Sequence, residues 1–439
     1  MAKKFYISTF GCRTNQADSA ALRQDFLSSE FEETQQWMQA DVIVVNSCTV
    51  TSRSDQQVRQ LTRRLRRENP QARIVVTGCY AQRAPPALAS IPGVDAVVGN
   101  THKSDIVQIA TALARLPNHA EIAAIYRDDF RNVRAMAVTP ATQTGGKTRP
   151  FVKVQDGCDA KCTYCIIPRV RGPSRSVPPQ LVLQQVRTLV EEGFKEIVLT
   201  GIHIGTYGMH LRPRFPLDRL LEEIVALPGL ERVRLSSIEP MQLSRRITEL
   251  AACCEKIAPH FHICLQSGSD RILKMMLRPY NTARFASIVE EINERIPDAA
   301  IGTDVIVGFP GEAEEDHYQT VEFIRRMPFT YLHVFPYSDR TGTAASRMGG
   351  KVDPQNIKRR SEELRQVSDQ KNQNFRRRFL GKQLCVLTLA GEKDGMRVAI
   401  SGNYLKAKLD PSVPANQIVE GTVVAEDHDG YQVLEVGPP

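Results

Sequence analysis

Three cysteines fall within one short stretch of the chain, Cys158-Asp159-Ala160-Lys161-Cys162-Thr163-Tyr164-Cys165. The hydrophobic run before it, residues 150–154, predicts a strand, so the cysteines should lie on the loop after a strand end. Thiols this close cannot all pair as disulfides, and a tetrahedral zinc needs a fourth ligand that is not evident nearby. An iron–sulfur cube with one iron left for a non-protein ligand uses three thiolates. A structural zinc loop and three reduced thiols remain as alternatives.

The spacing of these cysteines resembles the C-x3-C-x-aromatic-C signature of the radical S-adenosylmethionine (SAM) enzymes, with Tyr164 at the aromatic position. The resemblance implies a [4Fe–4S] cluster on Cys158, Cys162 and Cys165 whose open iron binds SAM. An electron from that cluster would cleave SAM to a 5′-deoxyadenosyl radical.

Length and composition predict a multidomain cytoplasmic protein. A chain of 439 residues favours two or three domains. No apolar run reaches the ~18 residues of a membrane span, and residues 1–7 do not form a signal peptide. In the cytoplasm the ten cysteines would stay reduced and free to bind metal. The net charge of +8 favours a polyanionic partner, with a solvated basic surface as the alternative.

The N-terminal region is predicted to be a doubly wound α/β domain that gathers three more cysteines. Strands are expected at 5–10, 41–45, 73–76 and 95–98, and helices near 16–29, 54–68 and 102–114. Three of these strands run into Cys12, Cys48 and Cys79. The carboxyl ends of parallel strands share one edge of a sheet, so the three thiols should converge. They could form a second cluster, or they could be isolated core cysteines.

The segments around these cysteines resemble the N-terminal domain of the methylthiotransferases, a branch of the radical SAM enzymes. The matching segments are Gly11-Cys12-Arg13-Thr14-Asn15-Gln16, Asn46-Ser47-Cys48-Thr49-Val50-Thr51 and Thr77-Gly78-Cys79-Tyr80-Ala81-Gln82. The resemblance implies a second [4Fe–4S] cluster on Cys12, Cys48 and Cys79 that carries or supplies the sulfur of the product. It also implies that a second SAM molecule donates the methyl group.

The middle of the chain is predicted to form a partial (βα)6 barrel. Strands are expected at 151–155, 196–200, 232–236, 262–265, 301–307 and 331–335, and helices near 179–192, 216–227, 242–254, 284–296 and 313–326. The resemblance implies a SAM pocket on the loops after these strands, and the residues assigned to it are Tyr164, Thr200, Gly201, Ser236, Glu239 and Gln266.

Other conspicuous side chains of this region receive structural assignments. Hydrogen-bonded core or rim positions are predicted for His203, His262 and His333. Cys253, Cys254 and Cys264 are predicted to be small buried side chains. No catalytic residue is assigned beyond the six cluster cysteines.

The C-terminal region is predicted to be a small antiparallel β-barrel behind a basic helix. Short strands are expected at 384–389, 396–400, 404–409, 421–426 and 431–436. The pattern resembles the TRAM domain of RNA-modifying enzymes, which implies RNA binding; a purely structural cap is the alternative. An exposed linker is expected at 139–150, and the predicted domains are 1–144, 145–375 and 376–439.

Two clusters suit the insertion of sulfur at an unactivated aromatic C–H bond, because that proton is too weakly acidic for acid–base catalysis. Residues 11–16 and 164–176 most resemble the branch that transfers a methylthio group to C2 of N6-threonylcarbamoyladenosine next to the tRNA anticodon. Alternatives are isopentenyladenosine in tRNA, a ribosomal protein, and a non-catalytic iron–sulfur protein that binds RNA. The implied partners are the tRNA anticodon stem-loop and an electron donor such as flavodoxin or ferredoxin.

Overall fold

The computed structural model describes residues 2–116, 122–130, 133 and 145–437. The predicted linker therefore lies partly outside the described residues, since only 145–150 of it are included. None of the described helices is both long and apolar enough to cross a bilayer.

The N-terminal domain is a parallel sheet covered by helices on both faces, as predicted. Its strands are β1 (Lys4–Thr9), β2 (Glu32–Glu33), β3 (Val42–Ser47), β4 (Arg73–Gly78), β5 (Ala96–Val98) and β6 (Ala124–Tyr126), and its helices are α1 (Arg13–Ser28), α2 (Ser52–Glu68), α3 (Cys79–Arg83), α4 (Pro85–Ala89) and α5 (Ile106–Leu113). The strand order is β2-β1-β3-β4-β5-β6. Every residue of β3 and β4 is buried, because helices cover both sides of these central strands.

The central domain contains six parallel strands in chain order, which confirms the partial barrel. Its strands are β7 (Phe151–Lys153), β8 (Gln155–Asp156), β9 (Arg175–Ser176), β10 (Glu196–Thr200), β11 (Arg232–Leu235), β12 (His260–His262), β13 (Ala300–Val307) and β14 (Tyr331–Pro336), and its helices are α6 (Ile167–Arg171), α7 (Pro179–Glu191), α8 (Leu217–Val225), α9 (Arg245–Cys253), α10 (Asp270–Met275), α11 (Thr282–Arg295), α12 (Glu314–Arg326) and α13 (Pro354–Arg377). The triplets β7-β10-β11 and β12-β13-β14 are joined by parallel bridges such as Ile238–Ile263. The antiparallel pair β8-β9 stands apart from these six strands.

Two predicted elements are displaced. The strand expected at 262–265 ends at His262, and beyond it only isolated bridges remain before Gln266 adopts a φ of +76°. The helix expected at 102–114 begins at Ile106, because 100–105 forms a 3₁₀ turn in which His102 is not helical.

The C-terminal domain is a closed barrel of five strands, β15 (Gln383–Lys393), β16 (Met396–Ser401), β17 (Lys406–Leu409), β18 (Ile418–Glu426) and β19 (Gln432–Glu435). Four of its strand pairs are antiparallel as predicted, and the barrel closes with the parallel pair β17-β19. Phe375 and Phe379, at the end of α13 and just after it, pack into the barrel core together with Ala300 of β13. The barrel is thereby fixed to the amino-terminal end of the central sheet.

Candidate active site

The first cysteine triad lies at the carboxyl edge of the N-terminal sheet, as predicted. Cys12 precedes α1, Cys48 follows β3, and Cys79 begins α3 directly after β4. Gly11 has a φ of +96°, and a side-chain carbon added there would lie 2.7 Å from Cβ of Cys48. Only glycine permits so close an approach of the β1 loop to the β3 loop. The site thus falls at the β1/β3 switch point, where ligands bind in open α/β sheets.

The electrostatics of this triad suit a cation. Cys12 is exposed, whereas Cys48 and Cys79 are buried. Burial raises the pKa of Cys48 to about 12, and the negative charges of Cys79 and Cys12 add to the effect. The three sulfurs therefore act on one another, and thiolates here need positive charge beside them. The buried Arg171 supplies part of this charge, since Cys79 and Cys12 act to raise its pKa. Three thiols that act on one another in this way fit the ligand set of an iron–sulfur cluster.

The second triad lies on the loop between β8 and α6. Backbone bonds fix this loop, since the amide of Cys158 donates to the carbonyl of Gly172 at 3.0 Å and that of Cys165 to the carbonyl of Cys162 at 3.0 Å. Burial raises the pKa of Cys158 to about 11 and that of Cys165 to about 12, with further contributions from the neighbouring thiols. These sulfurs also form a compact donor set that fits an iron–sulfur cluster.

A buried arginine faces the second triad. Nη1 of Arg278 donates to Sγ of Cys162 at 3.1 Å, and its Nη2 donates to the carboxylate of Glu239. Nε of the same side chain donates to the hydroxyl of Tyr280 at 2.8 Å, which fixes the guanidinium. One cation therefore links a cysteine of the second triad to a residue predicted to bind SAM.

The residues predicted to bind SAM occupy the carboxyl edge of the central sheet, with one exception. Thr200 ends β10, and Gly201 runs so close to Gln155 that an added Cβ would lie 2.9 Å from its Oε1. The hydroxyl of Ser236, after β11, is buried and has no hydrogen-bond partner among the described residues, as expected of a group that meets a ligand. Gln266 follows β12 with its φ of +76°.

Tyr164 is the exception, because its ring packs into an apolar cluster with Ile272, Met276 and Phe309. Burial raises the pKa of Tyr164 well above its usual value. This position supports the cysteine loop from behind.

Two further polar residues lie beside the second triad. Gln155 was not predicted as a site residue, and His203 was predicted to have a structural role. Oε1 of Gln155 accepts hydrogen bonds from the amides of Ile202 at 2.9 Å and His203 at 2.8 Å, which shapes the loop after β10. The ring of His203 is hydrogen-bonded as predicted, to Gln242 at 3.2 Å, and its Nδ1 lies 3.5 Å from Sγ of Cys158. The sequence could have indicated Gln155, because it is a polar residue at the end of the strand before the cysteines.

The remaining histidines and cysteines are partly as predicted. His262 is buried and His333 is exposed, and each lies 3.2 Å from Asp304. Cys264 is buried, but Cys253 is exposed at the end of α9, so its predicted burial is wrong. Its place at the last turn of an amphipathic helix turns it towards solvent.

A buried charge network joins the helices that follow Cys12 and Cys165, α1 and α6. Arg171 of α6 is almost fully buried and donates to Asp156 at 2.9 Å and to Asp18 of α1 at 3.0 Å. Asp18 is also paired with Lys103 at 2.8 Å and with Lys153. Although burial acts to raise the pKa of Asp18, Lys103, Lys153 and Arg171 together hold it well below its usual range.

The two triads are neighbours in the folded chain. Cys79 packs against Ile166 and Val170, and Ile166 directly follows Cys165. Asn100 donates to the carbonyl of Val170 at 2.8 Å, and its Nδ2 lies 3.8 Å from Sγ of Cys79. The cysteine loops of the two domains therefore share one packed boundary.

Comparisons with known proteins agree with this architecture. Residues 4–99 match the family described as "Uncharacterized protein family UPF0004", and residues 152–324 match the "Radical SAM superfamily". The threonylcarbamoyladenosine tRNA methylthiotransferase MtaB of Aquifex aeolicus is 40% identical over 407 residues, covering 92% of this chain and 96% of that protein. MtaB of Bacillus subtilis is 38% identical, covering 91% of this chain and 88% of its own length.

Two further matches have lower sequence identity. The tRNA-2-methylthio-N(6)-dimethylallyladenosine synthase of Thermobifida fusca is 32% identical, over 91% of this chain and 81% of that protein. The structure of the radical SAM methyltransferase TsrM from Kitasatospora setae, with cobalamin and a [4Fe–4S] cluster bound, superposes with a TM-score of 0.58 at 15% identity, covering 79% of this chain and 77% of that one. At that identity the likeness concerns the fold alone.

Proposed function

The chain belongs to the methylthiotransferase family of radical SAM enzymes, and from this premise we propose that it transfers a methylthio group to C2 of N6-threonylcarbamoyladenosine next to the tRNA anticodon. The single observation that carries the choice of nucleoside is the order of the similarities. Two relatives named for threonylcarbamoyladenosine are 40% and 38% identical, against 32% for one named for dimethylallyladenosine. [4Fe–4S] clusters and SAM are the cofactors of this family, in agreement with the predicted cofactors.

The two cysteine triads divide the work in this proposal. Cys158, Cys162 and Cys165 would hold the cluster that binds SAM, and Cys12, Cys48 and Cys79 would hold the cluster that supplies sulfur. When bound, the two clusters supply the electron for SAM cleavage and the sulfur for the product. The chain itself holds the two sites side by side through the contact of Cys79 with Ile166.

Several side chains position and shield the SAM site. Arg278 neutralises thiolate charge at Cys162 and orients Glu239, and Gln155 fixes the loop of His203 through two backbone amides. The unpartnered hydroxyl of Ser236 offers a hydrogen bond to SAM. Burial of the surrounding strand ends excludes water from the pocket. Water there would otherwise lie between the carbon radical and the substrate.

The C-terminal barrel and the helix before it are the proposed tRNA contact. Exposed basic side chains such as Lys358, Arg377 and Lys382 are available to phosphates of an anticodon stem-loop. Flavodoxin or ferredoxin is the proposed class of electron donor. A cytoplasmic location belongs to the same proposal, since six cysteines can ligate iron only while they are reduced.

Nucleoside mass spectrometry of tRNA from cells with and without this protein tests the proposal. In cells that have no other enzyme for this modification, we expect 2-methylthio-N6-threonylcarbamoyladenosine only where the protein is present. Loss of 2-methylthio-isopentenyladenosine, or thiomethylation of a ribosomal protein, would instead assign the alternative acceptor. Absence of 5′-deoxyadenosine from SAM with reduced, reconstituted protein would favour the non-catalytic iron–sulfur protein.

A further inference from the structure

A cavity of about 510 Å³ lies between the central sheet and the C-terminal barrel. Its lining extends from Tyr331 and the exposed His333 of β14 to Tyr404 and the exposed Lys406 of the barrel. This volume is within the range of pockets that enclose small ligands, and it is large enough for a modified base or its substituent. Because the barrel side of the cavity belongs to the proposed RNA contact, a nucleotide extruded from a stem-loop could enter from there.

Three arginines from different parts of the chain surround the ring of Tyr404 at one end of this cavity. The guanidinium carbons of Arg13 and Arg149 lie 5.9 Å from the ring centroid, and that of Arg234 lies 5.1 Å from it. Nη2 of Arg13 also donates to the hydroxyl of Tyr404 at 3.2 Å. The ring of His260 also stacks on that of Tyr404, with 4.4 Å between the ring centroids.

The positive charge at this end is only partly neutralised. The buried Glu196 lies 3.0 Å from Arg234, 3.3 Å from Arg232 and 3.5 Å from Arg149. Arg13 has no carboxylate within ion-pair distance in the part of the chain that the structure describes. One carboxylate thus serves three guanidinium groups, with Arg13 as a fourth positive charge nearby, and partly buried positive charge without a counterion is unfavourable.

Neighbouring groups respond to this excess of positive charge. Burial alone would raise the pKa of Tyr404, yet Arg13, Arg149 and Arg234 lower it. Burial lowers the pKa of His260 well below its usual value, and Arg234 and Arg13 add to this effect. His260 therefore remains neutral and adds no further charge.

Two carboxylates line the cavity, those of Asp369 and Asp429, and Asp429 is paired with Lys393. A third, Asp304, lies 3.2 Å from the lining residue His333. Although burial acts to raise the pKa of Asp304, hydrogen bonds from His262 and His333 hold it below its usual range. Its negative charge would repel a second carboxylate placed beside His333. Of the three arginines on Tyr404, Arg149 lines the cavity itself, and Arg13 donates to the hydroxyl of the lining residue Tyr404. An anionic group in the cavity should therefore face Arg149, with Arg13 beside it.

We propose that Arg13 and Arg149, held on the ring of Tyr404, bind the carboxylate of the threonylcarbamoyl group and so select this nucleoside over those with an uncharged N6 substituent. This inference rests on the proposed function and names the recognition element for its substrate. Arginine suits the role because its planar guanidinium matches a carboxylate with two parallel hydrogen bonds. Arg13 directly follows Cys12, so the same contact would bring the base next to the proposed sulfur-supplying triad.

Synthetic anticodon stem-loops test the inference. One carries N6-threonylcarbamoyladenosine and a second carries its methyl ester, which has the same shape without the charge. We expect the reconstituted protein to modify the acid with a kcat/KM about 10–100-fold above that of the ester, as charge-assisted hydrogen bonds imply. The Arg13→Gln and Arg149→Gln variants should each lose most of this preference, because the ratio of the two kcat/KM values falls towards one.

Controls separate the inference from the proposed function. Arg245→Gln, at an exposed position on α9, should leave both rates and their ratio unchanged. If the unaltered protein modifies neither stem-loop, the proposed function fails; if it modifies acid and ester equally well, only the inference fails. The iron content of each variant is measured. Arg13 is next to Cys12, so if Arg13→Gln loses iron, the test of the inference rests on Arg149→Gln. Full retention of the acid preference in Arg149→Gln would then overturn the proposal.

Discussion

The two cysteine triads reach similar donor sets by opposite routes. Cys158, Cys162 and Cys165 are close in sequence, and one loop held by its own backbone bonds brings them together. Cys12, Cys48 and Cys79 are separated by more than thirty residues each, and only the parallel sheet makes them neighbours. The first arrangement depends on local structure, and the second depends on the fold of a whole domain.

This difference predicts different sensitivities. A site built by one loop should tolerate changes elsewhere in its domain, whereas a site assembled at a sheet edge should respond to any change in strand spacing. The charged partner differs as well. Arg278 donates a hydrogen bond to Cys162 at 3.1 Å, whereas the hydrogen bond to Cys79 comes from the neutral Asn100 at 3.8 Å. The buried Arg171 acts on Cys79 and Cys12 through its charge, with no hydrogen bond to either sulfur among the described contacts.

The largest expected effect separates the two triads by function. Cys162→Ala should abolish the formation of 5′-deoxyadenosine from SAM, because the cluster that binds SAM is lost. Cys48→Ala should preserve that reaction and abolish thiomethylated nucleoside, with iron falling from about eight to about four per chain. The exposed Cys253→Ala serves as the control and should change neither product. Thiomethylated tRNA from the Cys48 variant would remove the proposed role of the N-terminal triad.

The next largest effect concerns the buried charge network that joins α1 and α6. Arg171→Met should reduce the free energy of unfolding by about 3–5 kcal/mol, because Asp18 and Asp156 would lose a buried counterion. The matched control is Arg246→Met, whose ion pair with Glu222 is exposed and should contribute about 0–1 kcal/mol. Urea titration under anaerobic conditions measures both. Equal losses would show that the buried network does not join the domains energetically.

The same network predicts a loss of stability in acid. The folded-state pKa of Asp18 is depressed, so its contribution is complete above its unfolded pKa of about 3.9 and is lost as the pH falls through the lower folded value. Unfolding free energies measured between pH 6 and pH 3 should fall in the native protein. Asp18→Asn should show a shallower fall, and an unchanged slope would contradict this assignment.

A smaller effect tests the geometry of the sheet-edge triad. Gly11 and Gly193 have φ angles of +96° and +91°, but an added Cβ meets Cys48 at 2.7 Å in the first case and nothing within 4 Å in the second. Gly193→Ala should therefore cost about 1 kcal/mol from backbone strain alone. Gly11→Ala should cost about 1–3 kcal/mol more and lower the iron content, because Cys48 must move. Equal iron in both variants would show that the close approach is not required.

The sequence was sufficient to predict the strands and helices whose hydrophobic residues follow a clear strand or helix pattern. The β3 and β4 strands contain the hydrophobic runs 42–45 and 74–76, which located Cys48 and Cys79 at strand ends and predicted their convergence. Elements without such a pattern were missed. All three residues of β6 are exposed, and α10 has only six residues, so neither shows a periodic signal.

Contacts between distant segments were also beyond the sequence. Arg278 and Cys162 are 116 residues apart, and Arg13 and Tyr404 are 391 apart. Their pairing depends on how α10 ends and on where the C-terminal barrel docks, and neither follows from local pattern. The sequence could identify the cysteines as ligands, but the surrounding charges required the packed domains.

The smallest expected effect returns to the charge beside each triad. Arg278→Gln removes a charge-assisted hydrogen bond from Cys162, so the cluster on this triad should have a lower reduction potential and SAM cleavage should slow by about tenfold. Arg278→Lys keeps the charge and should restore part of both. Asn100→Ala, beside Cys79, should leave this potential and the rate of SAM cleavage unchanged. Potentiometric titration followed by electron paramagnetic resonance measures the first quantity, and chromatography of 5′-deoxyadenosine measures the second. If Arg278→Gln and Asn100→Ala shift the potential alike, the charge of Arg278 does not distinguish the two sites. The sites would then differ only in how the chain brings the cysteines together.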